Sequence, residues 1–241
     1  MDIRLEHSHD PEHIAERLAL GPAPSYLRDW IYGGIDGAIT TFAIVSGVVG
    51  ADMPGRAVLI LGIVNILADG FSMAAANFSS TRTEIEEYEH MRRMEERHVE
   101  LHPEGEREEV RQIFEAKGFR GRDLDQAVNV ITSERERWVL TMMTEEHGLP
   151  PIARSPWKSA FITFLAFVLC GMVPIMPFAI GMGSAVTLSA GMTALVFFAI
   201  GSVRSRWSPK LWWYAGLETM VIGLAAAGVA YLAGDLLQKL L

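Results

Sequence analysis

The longest segment without charge runs from Ser159 to Val203 and contains no Asp, Glu, Lys or Arg. A single helix of this length would measure about 68 Å, whereas the hydrocarbon core of a bilayer is about 30 Å thick. We therefore expect two membrane spans here, joined by a hinge at Gly181-Met182-Gly183-Ser184. Such a run of apolar residues excludes an ordinary soluble domain.

Basic residues are also absent from three further apolar segments. Each contains one acidic residue: Ile31–Ala51, Ala57–Ser80 and Leu211–Gly234. Together with the two spans above, they predict a multi-pass membrane protein with five transmembrane helices. The alternation of apolar and polar residues that is typical of strands persists nowhere, so the predicted fold class is all-α.

Other absences narrow the function. The only cysteine is Cys170, so an intramolecular disulfide is excluded. The first 25 residues are polar and lack the basic patch and apolar core of a cleavable signal peptide, so none is predicted. The net charge is −8, which argues against nucleic acid as a partner.

The predicted spans divide the chain into four parts. These are an N-terminal tail (1–26), transmembrane helices 1 and 2 (27–78), a helical insert (79–156) and transmembrane helices 3–5 (157–241). Basic residues concentrate in the tail, in the insert and in the loop around residues 204–210. Because basic residues favour the cytoplasmic side, we expect the N-terminus and the insert in the cytoplasm and the C-terminus outside.

The insert is predicted to contain four helices. The second span is expected to continue into it as one long helix, because no breaker occurs before Pro103. A second helix follows Pro103 and ends near Gly118, and a third, shorter helix comes next. The fourth is expected to begin at a capping box formed by Ser133 and Glu136.

Three acidic residues and no basic residue lie inside the predicted spans: Asp36, Asp69 and Glu218. An ionised carboxylate in the middle of a membrane costs several kcal/mol unless it is protonated, paired or hydrated. With no base in the spans, the partner must be a proton or a metal cation, which predicts a path for cations. The alternative is a protonated acid that hydrogen-bonds to a neighbouring helix.

The second span adds two further candidate ligands. Asn65, Asp69 and Met73 are spaced four residues apart and therefore share one helical face. Carboxylate, amide and thioether groups on one face suit a first-row divalent ion, and the thioether disfavours Mg²⁺ and Ca²⁺. Met73 alone also fits a packing role, since methionine is common in apolar cores.

Candidate ligands in the insert have the spacing of a metal site. Glu95 and His98 are three residues apart on one predicted helix, and Glu106 and Glu109 are three apart on the next. The fourth helix contributes the remaining members, Met142, Met143 and Glu146. Three helices that pack together would gather these groups into a capture site for metal. The alternative is a charged helical face in water.

The insert also raises an enzymatic alternative. Glu87–His90 and Glu95–His98 resemble the Glu-x-x-His pairs of di-iron carboxylate proteins, where the pairs lie on facing helices. Here both lie on one predicted helix, so a di-iron centre would need a second copy of the chain. The alternative function is a membrane-anchored ferroxidase or di-iron carboxylate enzyme, and a further one is a metal-sensing or scaffolding membrane protein.

Five sequence motifs resemble the vacuolar iron transporter family, which includes yeast-type vacuolar iron/manganese transporters and plant nodulin-like relatives. The motifs are YGGIDGAITTFAIVSGVVGA, ADGFSMAAANFSSTRTE, PEGEREEV, Met142-Met143-x-x-Glu146 and WWYAGLETMVIG. The resemblance covers roughly residues 25–240. It implies a homodimer of five-helix protomers, without a permanently bound cofactor, that exchanges cytosolic Fe²⁺, and often Mn²⁺ or other divalent ions, for protons.

The resemblance also implies roles for individual residues. The family's translocation path lies at the dimer interface, and its aspartate and methionine match Asp36 and Met73. The glutamates and methionines of its cytoplasmic metal-binding domain match Glu95, Glu106, Glu109, Met142, Met143 and Glu146.

This chain departs from the family pattern at two positions. His98 stands where a glutamate is expected, and Asn65 stands where some members have an acid. An imidazole favours Zn²⁺, Fe²⁺ or Ni²⁺ over harder ions. Fe²⁺ is the expected first choice, and Mn²⁺, Co²⁺, Ni²⁺ and Zn²⁺ are further candidates. The expected location is a bacterial plasma membrane, or a vacuolar membrane in a eukaryote.

Overall fold

The computed structural model describes residues 8–21, 23–152, 154–181 and 183–240. Within these residues it contains α-helices and one 3₁₀ turn, Ser205–Trp207, and no strand. The helices are α1 (Pro11–Leu20), α2 (Leu27–Gly50), α3 (Gly55–Leu101), α4 (Pro103–Ala116), α5 (Gly121–Thr132), α6 (Arg135–Glu145), α7 (Pro156–Ala179), α8 (Ala185–Arg204) and α9 (Trp212–Leu240). The predicted all-α class is confirmed.

Five of these helices are long and apolar enough to cross a bilayer. They are α2, α3, α7, α8 and α9. Each coincides with one predicted span, so the prediction of a multi-pass membrane protein with five transmembrane helices is confirmed. The predicted hinge lies between α7 and α8, where Gly181 adopts a positive φ of 68°. Met182 of that hinge lies outside the described residues.

The chain divides into two compact units. Residues 79–153 form one, here called the insert unit, and the rest of the chain forms the other, here called the membrane unit. Helix α3 contributes residues to both, since it runs unbroken for 47 residues. The predicted continuation of the second span into the insert as one helix is therefore confirmed.

Close packing of α2 against α7 depends on two glycines. A Cβ atom at Gly33 would collide with the carbonyl oxygen of Thr163, and one at Gly37 would collide with that of Phe167. Small residues are what allow two membrane helices to approach this closely. The crossing packs the segment that contains Asp36 against α7.

A buried polar network joins α2, α3 and α7 in the membrane unit. The Arg154 guanidinium donates to both carboxylate oxygens of Asp29, at 2.7 and 2.6 Å. The Asn77 amide donates to Asp29 at 3.0 Å and to the Thr163 hydroxyl at 2.6 Å. Because Asp29 is buried, this pairing satisfies a charge that would otherwise be costly.

The insert unit has an apolar core of its own, built from α3–α6. Its buried members include Val99, Val110, Val128, Trp138 and the pair Met142 and Met143. The helix ends follow the sequence: α4 begins at Pro103, and Gly118 after it has a φ of 102°.

The predicted capping box at the start of α6 is wrong. Glu134 occupies the N-cap position and makes no side-chain cap hydrogen bond. The Ser133 hydroxyl instead donates to the carbonyl of Val130 at 2.8 Å. Ser133 therefore belongs to the end of α5, because its hydroxyl satisfies one of the unpaired carbonyls there.

Candidate metal centre

Two glutamates are buried in the insert unit. Glu95 on α3 is 1 % exposed and Glu106 on α4 is 5 % exposed. One carboxylate oxygen of each, Oε2, has no hydrogen-bond partner. Burying a carboxylate without partners is costly, and such groups are normally paired or coordinate a metal.

Histidines surround these two carboxylates. His98 Nδ1 lies 3.9 Å from Glu95 Oε1 and 3.4 Å from Glu106 Oε1. His147 Nε2 lies 2.9 Å from Glu95 Oε1 and 3.8 Å from Glu146 Oε2. Over the described part of the chain, all ion pairs of Glu95 and Glu106 are with histidines. Glu95–His98–Glu106 and Glu95–Glu146–His147 each have the spacing to hold a metal ion.

Burial and the neighbouring carboxylates raise the pKa of two glutamates in this site. Burial raises the pKa of Glu106 to about 7, and the charges of Glu109, Glu95 and Glu146 add to the shift. Burial also raises the pKa of Glu146, against an opposing effect of His147. The site accumulates negative charge that a cation would neutralise.

The local sequence explains why these side chains converge. Glu95 and His98 are one turn apart near the end of α3, which stops before Pro103. Pro103 starts α4, whose buried face contains Glu106 and Val110. The third contributing helix is α6, whose C-cap residue is Glu146.

Most predicted ligands of the insert meet in this site. Glu95, His98, Glu106 and Glu146 lie together, and Glu109 is close enough to act on the charge of Glu106. The thioether ligands predicted at Met142 and Met143 are both 0 % exposed and belong to the apolar core. That burial fits a packing role as well as the predicted role of ligand.

His147 was not among the predicted ligands. It follows the end of α6, where helical spacing no longer relates it to other side chains. The segment Glu145-Glu146-His147-Gly148 was the available signal, because it places an imidazole beside carboxylates just before a helix-ending glycine.

A cavity of about 820 Å³ opens in the membrane unit. Its lining includes Tyr32 and Asp36 from α2, Arg204 at the end of α8, Lys210 from the following loop and Glu218 from α9. Asp36 is partly buried, and the described residues form no ion pair with it. The structure therefore brings Asp36 and Glu218 to one cavity.

The expectation that no base neutralises the membrane acids is wrong for Glu218. Arg204 lies 3.1 Å and Lys210 2.9 Å from its carboxylate. The prediction counted bases within the predicted spans only, whereas Arg204 at the end of α8 and Lys210 in the loop before α9 both reach this carboxylate. Glu218 is thus neutralised by the protein itself.

Asp36 and Asp69 differ from Glu218. They interact electrostatically with each other, and no basic residue in the described part of the chain forms an ion pair with either one. The Asn65 amide donates to the Thr40 hydroxyl at 3.5 Å, and that hydroxyl donates to the carbonyl of Asp36 at 2.9 Å. Asn65 thus contacts the Asp36 segment through Thr40, while Met73 is partly buried one turn beyond Asp69.

The sequence of this chain is similar to one protein family and to several named proteins. The model of the VIT family matches residues 27–235. A vacuolar iron transporter of Toxoplasma gondii is 32% identical over 228 residues, which cover 88% of this chain and 74% of that protein.

Two plant proteins extend the comparison. Vacuolar iron transporter 1 of Oryza sativa is 26% identical over 95% of this chain and 91% of its own length. Vacuolar iron transporter 1 of Arabidopsis thaliana is 27% identical over 97% of this chain and 92% of its own length. All three relatives are named as transporters, which supports the predicted transporter over the enzymatic alternative. With five membrane helices and a family match that extends over most of its length, this chain belongs to the VIT family.

Proposed function

We propose that this protein moves divalent metal ions out of the cytosol in exchange for protons, with Fe²⁺ as its first substrate. The observation that carries the proposal is the pair Asp36 and Asp69, two interacting acids in membrane-spanning helices without a basic partner in the described part of the chain. An apolar surrounding makes such acids take up a cation, either a proton or a metal ion.

Asp36 is the proposed coupling residue. It lines the cavity of the membrane unit, which is the proposed route by which ions reach it. If its carboxylate binds either a metal ion or a proton, but not both, the two flows become coupled. Asp69, Met73 and Asn65 on the same face of α3 complete the proposed path, and the Met73 thioether selects softer ions.

The insert unit is the proposed capture site. Its buried carboxylates, Glu95 and Glu106, have oxygens without partners and are surrounded by groups that bind Fe²⁺ or Zn²⁺. Glu109, Met142, Met143 and Glu146 are the other proposed ligands. We place the N-terminus and residues 79–156 on the cytoplasmic side, where the basic residues near the spans concentrate.

We further propose that the protein acts as a homodimer in a bacterial plasma membrane. The apolar side chains that α3 and α9 expose, such as Ile60, Val64, Phe71, Val221 and Val229, would face lipid or a second copy of the chain. The motifs that resemble a dimeric family support the second possibility for part of this surface.

Transport by reconstituted protein tests the proposal. Liposomes with a pH-sensitive dye inside would receive Fe²⁺ outside, and both metal uptake and proton movement would be recorded. We expect Asp36→Asn to reduce both flows about tenfold or more, because the neutral amide has no negative charge for a metal ion and cannot take up a proton. Asp52→Asn is the matched control, since it removes the same charge from an exposed residue between α2 and α3. Full coupled transport by Asp36→Asn would refute the assignment.

Substrate choice needs a second measurement. Competition between Fe²⁺, Mn²⁺, Co²⁺, Ni²⁺ and Zn²⁺, with and without a pH gradient, would rank the ions and show whether protons drive their movement. A rank order in which Mg²⁺ or Ca²⁺ competes as well as Fe²⁺ would contradict the proposed role of the Met73 thioether.

A further inference from the structure

Three properties of His147 in the insert unit call for an explanation. Its side chain is 17% exposed, its Nε2 atom points to Glu95, and it lies next to Glu146. We propose that His147 is a metal ligand, and that with His98 it makes this centre prefer ions that bind imidazole over Mn²⁺. The inference rests on the proposed capture function of the insert.

The end of α6 holds His147 in place. The backbone amide of His147 donates to the carbonyl of Met142 at 3.3 Å, and the amide of Leu149 donates to the carbonyl of Met143 at 2.8 Å. Gly148 between them has a φ of 66°, which turns the chain back over the helix end. The imidazole is therefore positioned by backbone geometry as well as by its contact with Glu95.

The distances around His147 suit a small divalent ion. Ligand atoms about 2.1 Å from a tetrahedral metal lie about 3.4 Å apart. His147 Nε2 is 2.9 Å from Glu95 Oε1 and 3.8 Å from Glu146 Oε2, so modest shifts would place all three atoms around one ion. His98 bears the same relation to Glu95 and Glu106, so Glu95 is common to both groups.

A hydrogen bond alone does not explain the arrangement. His147 satisfies Oε1 of Glu95, but Oε2 of this buried carboxylate still has no partner among the described residues. An unpaired oxygen beside two imidazoles and further carboxylates is the condition that a bound cation would satisfy.

The two imidazoles have a consequence for selectivity. Nitrogen ligands suit Zn²⁺, Fe²⁺ and Ni²⁺, whereas Mn²⁺ prefers carboxylate and carbonyl oxygen. Loss of His147 should therefore weaken the binding of Zn²⁺ much more than that of Mn²⁺. A residue that only positions Glu95 would weaken both ions alike.

The experiment uses the full-length protein purified in detergent. Calorimetry would give the affinities for Zn²⁺ and Mn²⁺, and X-ray absorption at the zinc edge would count the imidazoles bound to the metal. For His147→Asn we expect Zn²⁺ affinity to fall about 10–100-fold, at least as much as the loss of an outer partner usually costs. Mn²⁺ affinity should change less than about threefold, and the zinc spectrum should lose one imidazole.

Two control variants make the outcome specific. His90→Asn removes an exposed histidine of α3 outside the cluster and should leave affinity and spectrum unchanged. His98→Asn should behave like His147→Asn. If His147→Asn elutes as aggregate in gel filtration, His147→Gln replaces it, with the same expected spectrum.

The outcomes separate this inference from the proposed function. An unchanged imidazole count in the His147 variant, with Zn²⁺ binding that Glu106→Gln still weakens, overturns the role of His147 and leaves the capture site standing. Zn²⁺ binding that neither Glu106→Gln nor Glu95→Gln weakens overturns the capture site, and the role of His147 with it.

Discussion

Acidic residues in the membrane unit and in the insert unit differ in what neutralises them. In the membrane unit, Asp36 and Asp69 interact with each other, and the described residues offer them no cationic side chain. In the insert unit, Glu95 and Glu106 are paired with histidines. The two insert acids therefore have imidazole partners within the protein, whereas Asp36 and Asp69 have no basic partner among the described residues.

A second contrast lies within the membrane unit. Asp36 and Glu218 line one cavity, but Glu218 is held by Arg204 and Lys210. Two acidic side chains therefore have different electrostatic surroundings in the same cavity. Glu218 has two basic partners within the protein, whereas Asp36 has none among the described residues, as its proposed coupling role requires.

The largest effect is expected from a substitution that abolishes transport by the membrane unit and leaves metal binding by the insert unit intact. Gly37→Leu places a side chain against the carbonyl of Phe167 on α7, so it should prevent the close crossing of α2 and α7 and abolish transport. Zn²⁺ binding by the insert unit should persist, because its core is separate. Metal uptake into liposomes would measure the first effect, and calorimetry of the purified protein the second.

Gly191→Leu serves as the control for that substitution. Gly191 lies in α8, and a Cβ there meets no atom within 4 Å. The control should transport normally. Equal loss of transport in the two variants would show that the α2–α7 crossing is not what limits the Gly37 variant.

Glu106→Gln should weaken metal capture by the insert unit more than translocation through the membrane unit. We expect Zn²⁺ and Fe²⁺ affinity of the whole protein to fall about tenfold or more, since a buried carboxylate ligand becomes a neutral amide. Transport at saturating metal should fall much less, because Asp36 and Asp69 are unchanged. Glu108→Gln, at an exposed position on the same helix, is the control. Normal affinity in this variant and in Glu95→Gln would contradict the capture site.

A smaller effect is expected from pH. The pKa of Glu106 lies near 7 instead of 4.5, chiefly because of burial. The folded state thus binds this proton more tightly than the unfolded state, so the metal-free stability it contributes is greatest below pH 4.5 and falls as the pH rises through about 7.

Metal binding should show the opposite dependence on pH. The ion needs the carboxylate, so Zn²⁺ affinity should rise severalfold between about pH 6 and pH 8, and binding near pH 7 should release protons. Calorimetry in buffers of different ionisation enthalpy measures this release. Glu106→Gln should release fewer protons, and equal release by both proteins would assign the titration to another group.

The smallest effect is expected for Glu218→Gln. Its partners are partly exposed, and exposed ion pairs of this kind contribute little to stability. We expect a small shift in thermal unfolding and metal transport within about twofold of normal. A loss of transport as large as that of Asp36→Asn would show that Glu218 itself takes part in ion movement and would remove the contrast between the two acids.

Features that depend on nearby residues were predictable from sequence. Span length, the end of α3 before Pro103 and the turn at Gly118 follow from hydrophobicity and backbone preference over a few residues. The i,i+3 spacing of Glu95 and His98 likewise placed both side chains on one face of α3. In each case the relevant interaction lies within one helix.

Features that depend on contacts between residues far apart in the sequence were not predictable from it. The pairing of Glu218 with Lys210 needs a loop to fold back, and the approach of His147 to Glu95 joins residues 52 apart in sequence. The Ser133 capping box was wrong because the preceding helix used the same hydroxyl.

By itself, the sequence determined that five apolar helices cross a membrane with acids inside them, because hydrophobicity and helix length are local properties. Only the tertiary structure decided which acids keep their charge uncompensated. Electrostatic pairing acts between atoms a few ångströms apart, and sequence separation alone does not specify those distances.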